Sequence, residues 1–314
     1  MSNKRNRVWG RIPTGCQLCL RGMKSVLFVT GLCNVNCFYC PISIERKGRD
    51  VCYINDIPVT SIANIVKEID NSFSQGIAIT GGEPFLVYDR VVEICRALKS
   101  IYGQEFHIHV YTNIANYGDK VLRKLSYLPI DELRLHIIDP KLVETRRISL
   151  KWLRRNASFN IGLEVPALPD KVRDILRVIE ILYESEVIEF VNLNEVDVSE
   201  SNVQNLIKRG YVIDSDGTVR GSYEAACKIL ELVSSKFNDI NIHVCCSCTK
   251  DLTQIGLRYF VKNIMFSRMC SLIESDGTTV EGLSDGLHVH PSRSKSGFVR
   301  VLFKGNRFLI LEVS

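Results

Sequence analysis

The chain has 314 residues, 46% hydrophobic and 24% charged, with 20 Gly, 9 Pro and 12 Cys. This composition excludes a disordered, collagen-like or low-complexity chain, and the length suffices for one large α/β domain with an appendage or for two ordinary domains. Forty Lys plus Arg against 35 Asp plus Glu leave a formal charge of only +5.

In chain order, residues 1–24 form a basic segment carrying Lys4, Arg5, Arg7, Arg11, Arg21 and Lys24. Such a cluster reads as a solvated terminus, with RNA contact as the alternative. Cys16 and Cys19 stand in it as a C-x2-C pair. No apolar run approaches the ~20 residues that cross a bilayer, and the polar start lacks the apolar core of a secretory signal. A cytoplasmic protein without membrane contact is expected. In that reducing setting clustered cysteines read as metal ligands before disulfides. Isolated Cys52, Cys95, Cys227 and Cys270 suit small core positions.

Residues 25–200 alternate β-branched or aromatic runs with amphipathic ones. Strands are predicted at 25–30, 77–80, 106–112, 132–136, 160–165 and 189–195. Between the first two, Ile62, Ile65, Val66, Ile69 and Phe73 recur at helical spacing. Repeated βα units build a parallel sheet with right-handed crossovers, so the fold class is α/β, a partial (β/α)6 TIM-like barrel. From about residue 201 a smaller α+β C-terminal extension is expected over 201–314. It should contain a helix at 223–237, a strand at 241–244, and hairpins turning at Ser275-Asp276-Gly277 and Lys304-Gly305-Asn306.

Directly after the first strand, Cys33, Cys37 and Cys40 form a C-x3-C-x2-C loop. Three thiolates this close can converge on three corners of an iron–sulfur cube, because iron favours soft sulfur ligands. With only three local ligands one iron keeps an open position, the feature that separates catalytic from structural metal sites. A zinc knuckle, or an electron-carrier cluster completed by a distant Cys, is the alternative. After the second strand comes Thr80-Gly81-Gly82-Glu83-Pro84. Its glycines let backbone approach a ligand closely, although the motif alone would be only a turn.

Cys33, Cys37 and Cys40, with Tyr39 just before the third Cys and Gly81-Gly82-Glu83-Pro84 one βα unit later, resemble the signature of the radical S-adenosylmethionine (radical SAM) superfamily. The resemblance covers roughly residues 25–200 and in detail is similar to pyruvate formate-lyase activating enzymes and their archaeal relatives. It implies that the three cysteines hold a [4Fe-4S] cluster whose open iron binds the amino and carboxylate groups of S-adenosylmethionine. One-electron reduction, from a donor such as ferredoxin or flavodoxin, then cleaves the sulfonium to methionine and a 5'-deoxyadenosyl radical that abstracts hydrogen from a substrate. It further implies that Gly81, Gly82 and Glu83 hold the methionine amino group and that Tyr39 meets the adenine through its backbone. Thr112 and Asn113 match a strand end that faces the cofactor's ribose or carboxylate.

Independently of any family, the later strands alternate with period 2. His107, His109 and Tyr111 share one face; so do Arg134 and His136, Asn160 and Glu164, and Asn192 and Asn194. With the apolar faces against the helices, these polar faces point into the barrel and should line a hydrated, charged cavity, unlike the packed aliphatic interior of a closed eight-stranded barrel. Buried polar groups must find partners, and Arg134 with Glu164 is the simplest structural pair. His136 and Glu164 are the candidates for substrate positioning or proton handling.

Cys16 and Cys19, with Cys245, Cys246 and Cys248 some two hundred residues later, could form a second metal site. An auxiliary iron–sulfur cluster and a structural zinc fit equally, and Cys16, Cys19, Cys245 and Cys248 are the candidate ligands; a disulfide is the alternative. The expected function is a radical SAM enzyme acting on an unidentified polar substrate, whether small molecule, peptide or RNA. A glycyl-radical-enzyme activase is the alternative within the class. A ferredoxin-like carrier would need a fourth cysteine and no Gly-Gly-Glu motif, and a zinc-containing nucleic-acid-binding protein would be colourless.

Overall fold

The computed structural model describes residues 5–114 and 117–266, together with the strand segments 271–273, 279–283, 286–290, 298–303 and 307–312. Its elements begin with β1 (Arg7–Trp9), α1 (Thr14–Leu20), β2 (Lys24–Phe28), β3 (Tyr53–Ile54), β4 (Ile57–Pro58), α2 (Ile62–Asn71) and β5 (Gly76–Thr80). They continue with α3 (Tyr88–Tyr102), β6 (His107–Thr112), α4 (Asp119–Leu125), β7 (Glu132–Leu135), α5 (Pro140–Asn156), β8 (Asn160–Pro166), α6 (Val172–Glu184) and β9 (Phe190–Asn194). Then follow α7 (Val203–Lys208), α8 (Ser222–Lys236), β10 (Asn241–Cys245), α9 (Ser247–Thr249), a π-helical stretch (Lys250–Leu257) and α10 (Arg258–Phe266).

All six expected strands form, and β2, β5, β6, β7, β8 and β9 lie side by side in parallel. The strand expected at 241–244, within the C-terminal extension, pairs in parallel with β9 from Asn241↔Phe190 to Cys245↔Asn194 and continues the same sheet. The reason is visible in its alternation. Ile242 and Val244 join the apolar core under the helices, while His243 shares the polar face with the strands before it. The result is an open, partial TIM-like barrel.

Local signals start and stop the helices. Ser61 accepts the Asn64 N–H at the start of α2, and Asp139 followed by Pro140 opens α5 by accepting the Lys141 N–H. Gly103, at φ +83°, ends α3. Ile65 and Ile69 of α2, Leu98 of α3 and Val178 of α6 are buried against Leu27, Ile79, Ile108 and Leu163 of the strands. Each such side chain contributes about 1.5–3 kcal/mol. A one-residue slip would bury the strand charges beneath the helices, so burial sets the register.

The basic front is ordered into the fold, with Arg5, Arg7, Arg11 and Arg21 left exposed on it. β1 pairs antiparallel with β10, Arg7 bonds Glu231 at 3.1 Å, and Lys24 is 4% exposed. β1 covers an otherwise open sheet edge, and Lys24 sits on the inward face of its strand, near Glu164 and His109, apart from the exposed arginines. Lys4 lies outside the described residues. After β10, the chain returns toward the first strand: Arg258 donates to the Lys24 carbonyl at 3.4 Å, and Lys262 pairs with Glu68 of α2 at 2.8 Å. In the C-terminal part, β11 (Ser271–Ile273) pairs with β12 (Thr279–Leu283), β12 with β13 (Gly286–His290), and β14 (Phe298–Phe303) with β15 (Arg307–Glu312), all antiparallel. The expected turn residues 275–277 and 304–306, like Cys270, lie outside the described residues.

Candidate active site at the C-terminal ends of the strands

The cysteine loop leaves β2 and is clamped on both flanks. On one side the Gly82 N–H donates to the Thr30 carbonyl at 2.8 Å and the Glu83 N–H to the Leu32 carbonyl at 2.7 Å. A Cβ at Gly81 would stand 2.2 Å from the Thr30 carbonyl oxygen, and one at Gly82 2.1 Å from that of Leu32. Gly81 also has φ +147°. These glycines are therefore required by the cysteine loop itself, a reason the sequence did not disclose, while both also line the cavity. On the other side Tyr39 packs with Leu168, Val196, Leu206 and Val219 in a satellite core, and Phe38 stacks on Tyr211. Asn202 donates to the Tyr39 carbonyl at 3.0 Å and Ser201 to that of Cys40 at 3.1 Å.

Cys33, Cys37 and Cys40 line one cavity of ≈ 330 Å³ together with Gly81, Gly82, Thr112 and Asn113. All three are free thiols. Burial raises the pKa of Cys33 and Cys37, which is the cost that coordination to iron would offset. Three soft donors on one loop, beside glycine backbone and, among the described residues, with no fourth cysteine lining the cavity, fit a cube with one open iron.

The remaining candidates divide. Tyr39, Thr112, Asn113, His136 and Glu164 all border this cavity. Glu83 does not: it is fully buried and accepts the Asn113 N–H at 2.7 Å, the Thr112 hydroxyl at 3.0 Å and the Phe85 N–H at 3.1 Å. Its side chain ties the Gly-Gly-Glu loop to the end of β6. Asn113, so held, places its amide 3.7 Å from the Cys33 sulfur.

His136 lies between the Glu164 carbonyl, 3.2 Å from Nδ1, and the Tyr39 hydroxyl, 3.1 Å from Nε2. A carbonyl only accepts, so Nδ1 carries the proton and Nε2 accepts from Tyr39. Burial lowers the pKa of this imidazole and keeps it neutral. Glu164 accepts from the Tyr111 hydroxyl at 3.1 Å, the Asn194 amide at 2.9 Å and Arg134 Nη1 at 2.6 Å. Burial alone would raise its pKa, but Arg134, Asn194 and Lys24 outweigh it and hold the carboxyl down to about 2. Glu164 is thus a fixed anion, suited to orienting a substrate and unsuited to moving protons at neutral pH.

Below this layer the lumen is filled rather than wet throughout. Arg134, 1% exposed, bonds Glu132 at 2.5 Å as well as Glu164. The expected Arg134–Glu164 pair is present, and Glu132, which the sequence reading did not single out, is a second carboxylate on the same face of β7. Lys250 and Asp197 were not anticipated. They pair at 2.5 Å across the cavity wall, from segments just after β10 and β9. Their position beyond strand ends, where barrel enzymes collect functional groups, was the available signal.

The second cysteine set is partly gathered: Cys16 and Cys19 are electrostatic neighbours of Cys245. Cys16 is buried in the lumen, accepting from Asn192 at 3.2 Å and Arg134 at 3.4 Å, with Cys19 one turn on in α1. Cys245 is buried at the end of β10, and the close sulfur pair is Cys246 with Cys248, at 2.9 Å. Among the described residues these cysteines do not bring three ligand atoms within 4.8 Å of one another.

The radical SAM superfamily profile matches residues 27–194, which carry the cysteine loop, the Gly-Gly-Glu loop and β3 to β9. The chain belongs to the radical SAM superfamily. A Methanocaldococcus jannaschii protein, named by inference as a glycyl-radical enzyme activating enzyme, is 33% identical over 284 residues, 87% of this chain and 73% of that protein. A Methanococcus aeolicus protein, named by inference as a GTP 3',8-cyclase, is 29% identical over 125 residues, 39% of this chain and 40% of that one. The crystal structure of Streptococcus suis SuiB aligns with TM-score 0.49 and 10% identity over 71% of this chain; the chain covers 49% of that structure. As a radical SAM enzyme the protein uses a [4Fe-4S] cluster and S-adenosylmethionine. Among the described residues no helix is long and apolar enough to cross a membrane.

Proposed function

We propose that Cys33, Cys37 and Cys40 hold the cluster, that the Gly81-Gly82 backbone with Thr112 and Asn113 holds S-adenosylmethionine, and that a polar substrate sits against Glu164, Asn194, His136 and Lys250. Bound there, the cofactors supply reductive cleavage of the sulfonium and a 5'-deoxyadenosyl radical. One observation carries the reading: the thiols and an ionised, fully hydrogen-bonded Glu164 border the same cavity. Neutral His136 and anionic Glu164 orient donors on the substrate, while the packed Arg134 layer closes the lumen beneath it. The reductant is an external one-electron donor of the ferredoxin or flavodoxin kind, and a cytosolic setting keeps the thiols reduced.

The test is anaerobic reconstitution with iron, sulfide and dithionite. Wild type should form deoxyadenosine from S-adenosylmethionine, and the variant lacking Cys33, Cys37 and Cys40 should not. Deoxyadenosine from that variant, or none from wild type, refutes the assignment. A second reading, activation of a glycyl-radical partner protein, is favoured by the relative that matches 87% of the chain. It would appear as a glycyl radical signal on the partner and not as turnover of a small molecule.

A further inference from the structure

At the end of the lumen away from the cysteine loop, His107 and His109 stand on the inward face of β6 and Glu132 opposite His109 on β7. One ligand atom from each lies within 4.8 Å of the others, the only such trio among the described residues. All three side chains are buried, His109 completely. Both ring nitrogens of His109 and Nδ1 of His107 lack any hydrogen-bond partner. His107 Nε2 approaches Glu132 Oε1 to 3.1 Å without hydrogen-bond alignment. Two imidazoles stripped of water and left without partners are an unfavourable arrangement unless something else binds them.

The surroundings resemble the support of a metal centre. Glu132 Oε2 is fixed by Arg134, which leaves Oε1, itself oriented by the Gly15 N–H at 3.1 Å, turned toward the imidazoles. Helix α1 seals the place: a Cβ on Gly15 would stand 2.4 Å from His109 Nδ1, so only glycine allows this approach.

We propose that His107, His109 and Glu132 bind one divalent transition ion, zinc or ferrous iron, separate from the cluster and pinning α1 to the closed end of the barrel. Two neutral imidazoles and one carboxylate suit both ions. Glu132 and Glu164 are already balanced by Arg134 and Lys24, so the ion brings surplus positive charge. It should therefore carry a hydroxide or another small anion in its remaining position.

The experiment uses full-length protein with Cys33, Cys37 and Cys40 all replaced by Ala, so that metal bound by the main cluster cannot contribute. It is purified without oxygen and supplied with zinc, ferrous iron or cobalt(II) alone. One ion per chain should survive gel filtration. The cobalt form should show visible ligand-field bands without the near-ultraviolet absorption of thiolate-bound cobalt, and adding His107→Gln with His109→Gln should abolish binding. Failure to bind any of the three ions, a thiolate spectrum that places the ion on Cys16, Cys19, Cys245 or Cys248, or full retention by the double-histidine variant would each overturn the proposal. Should that variant not fold, X-ray absorption of the zinc form decides: imidazole scattering supports the site and a sulfur shell refutes it.

Discussion

Replacing Arg134 with Met removes the cation that bonds both Glu132, at 2.5 Å, and Glu164, at 2.6 Å. Breaking a buried pair from one side costs about 3–5 kcal/mol because the partner charge stays behind. That is a large part of an ordinary stability of about 5–15 kcal/mol. The pH dependence carries the more specific expectation. In the wild type Glu164 titrates at about 2 when folded against 4.5 in its ordinary state. Its contribution, roughly 3 kcal/mol, is present above the unfolded value and disappears as pH falls from there toward the folded one. Without Arg134, burial would lift the folded pKa above the unfolded one. The variant would then be worst at neutral pH and would recover as acid neutralises Glu164. Arg134 also depresses the pKa of His109, so losing it favours the variant in the same direction. Denaturant unfolding of metal-free, cluster-free protein should show the gap between variant and wild type narrowing by a few kcal/mol between about pH 8 and about pH 5. Replacing Glu132, Arg134 and Glu164 together by Gln, Met and Gln should restore much of the loss. A gap that stays constant or widens in acid refutes this account of the lumen.

Gly82→Ala should push the Leu32 carbonyl away, destabilise the chain by about 1–3 kcal/mol and reduce iron and sulfide content on reconstitution. Normal cluster content in Gly82→Ala would show that the clamp is not needed. His136→Ala and Glu164→Ala should each keep the cluster absorption and the cleavage of S-adenosylmethionine while losing substrate conversion; conversion at wild-type rate by both would remove them from the substrate site. His243 is buried, and its pKa falls from 6.5 to about 4. It therefore favours the folded state above pH 6.5, and that contribution, about 3 kcal/mol, is lost as pH drops toward 4. His243→Asn should flatten the stability profile across that window, and an unchanged slope would contradict the assignment.

The family was legible in the front loop because the signature is local: three cysteines within eight residues need no tertiary contact to be read as one ligand set. The parallel strands were legible for the same reason, since alternation of His107, His109 and Tyr111 with Ile108 and Val110 already states which face meets the helices. What folding decided was the company each group keeps. Whether Glu164 is a proton carrier or a locked anion depends on Arg134, Asn194 and Lys24, which come from three other strands. Gly81 and Gly82 read as room for a ligand, yet the atoms that exclude a side chain belong to Thr30 and Leu32, some fifty residues earlier. Cys16 and Cys19 read as half of a metal site from their spacing, while only folding turns Cys16 into the lumen, where Asn192 and Arg134 meet it, and presses Gly15 against the orphaned His109. A one-dimensional pattern records which side of an element is buried. Hydrogen-bond partners and electrostatic neighbours are set by strands that meet only when the sheet curls, and those contacts fix protonation and ligand choice.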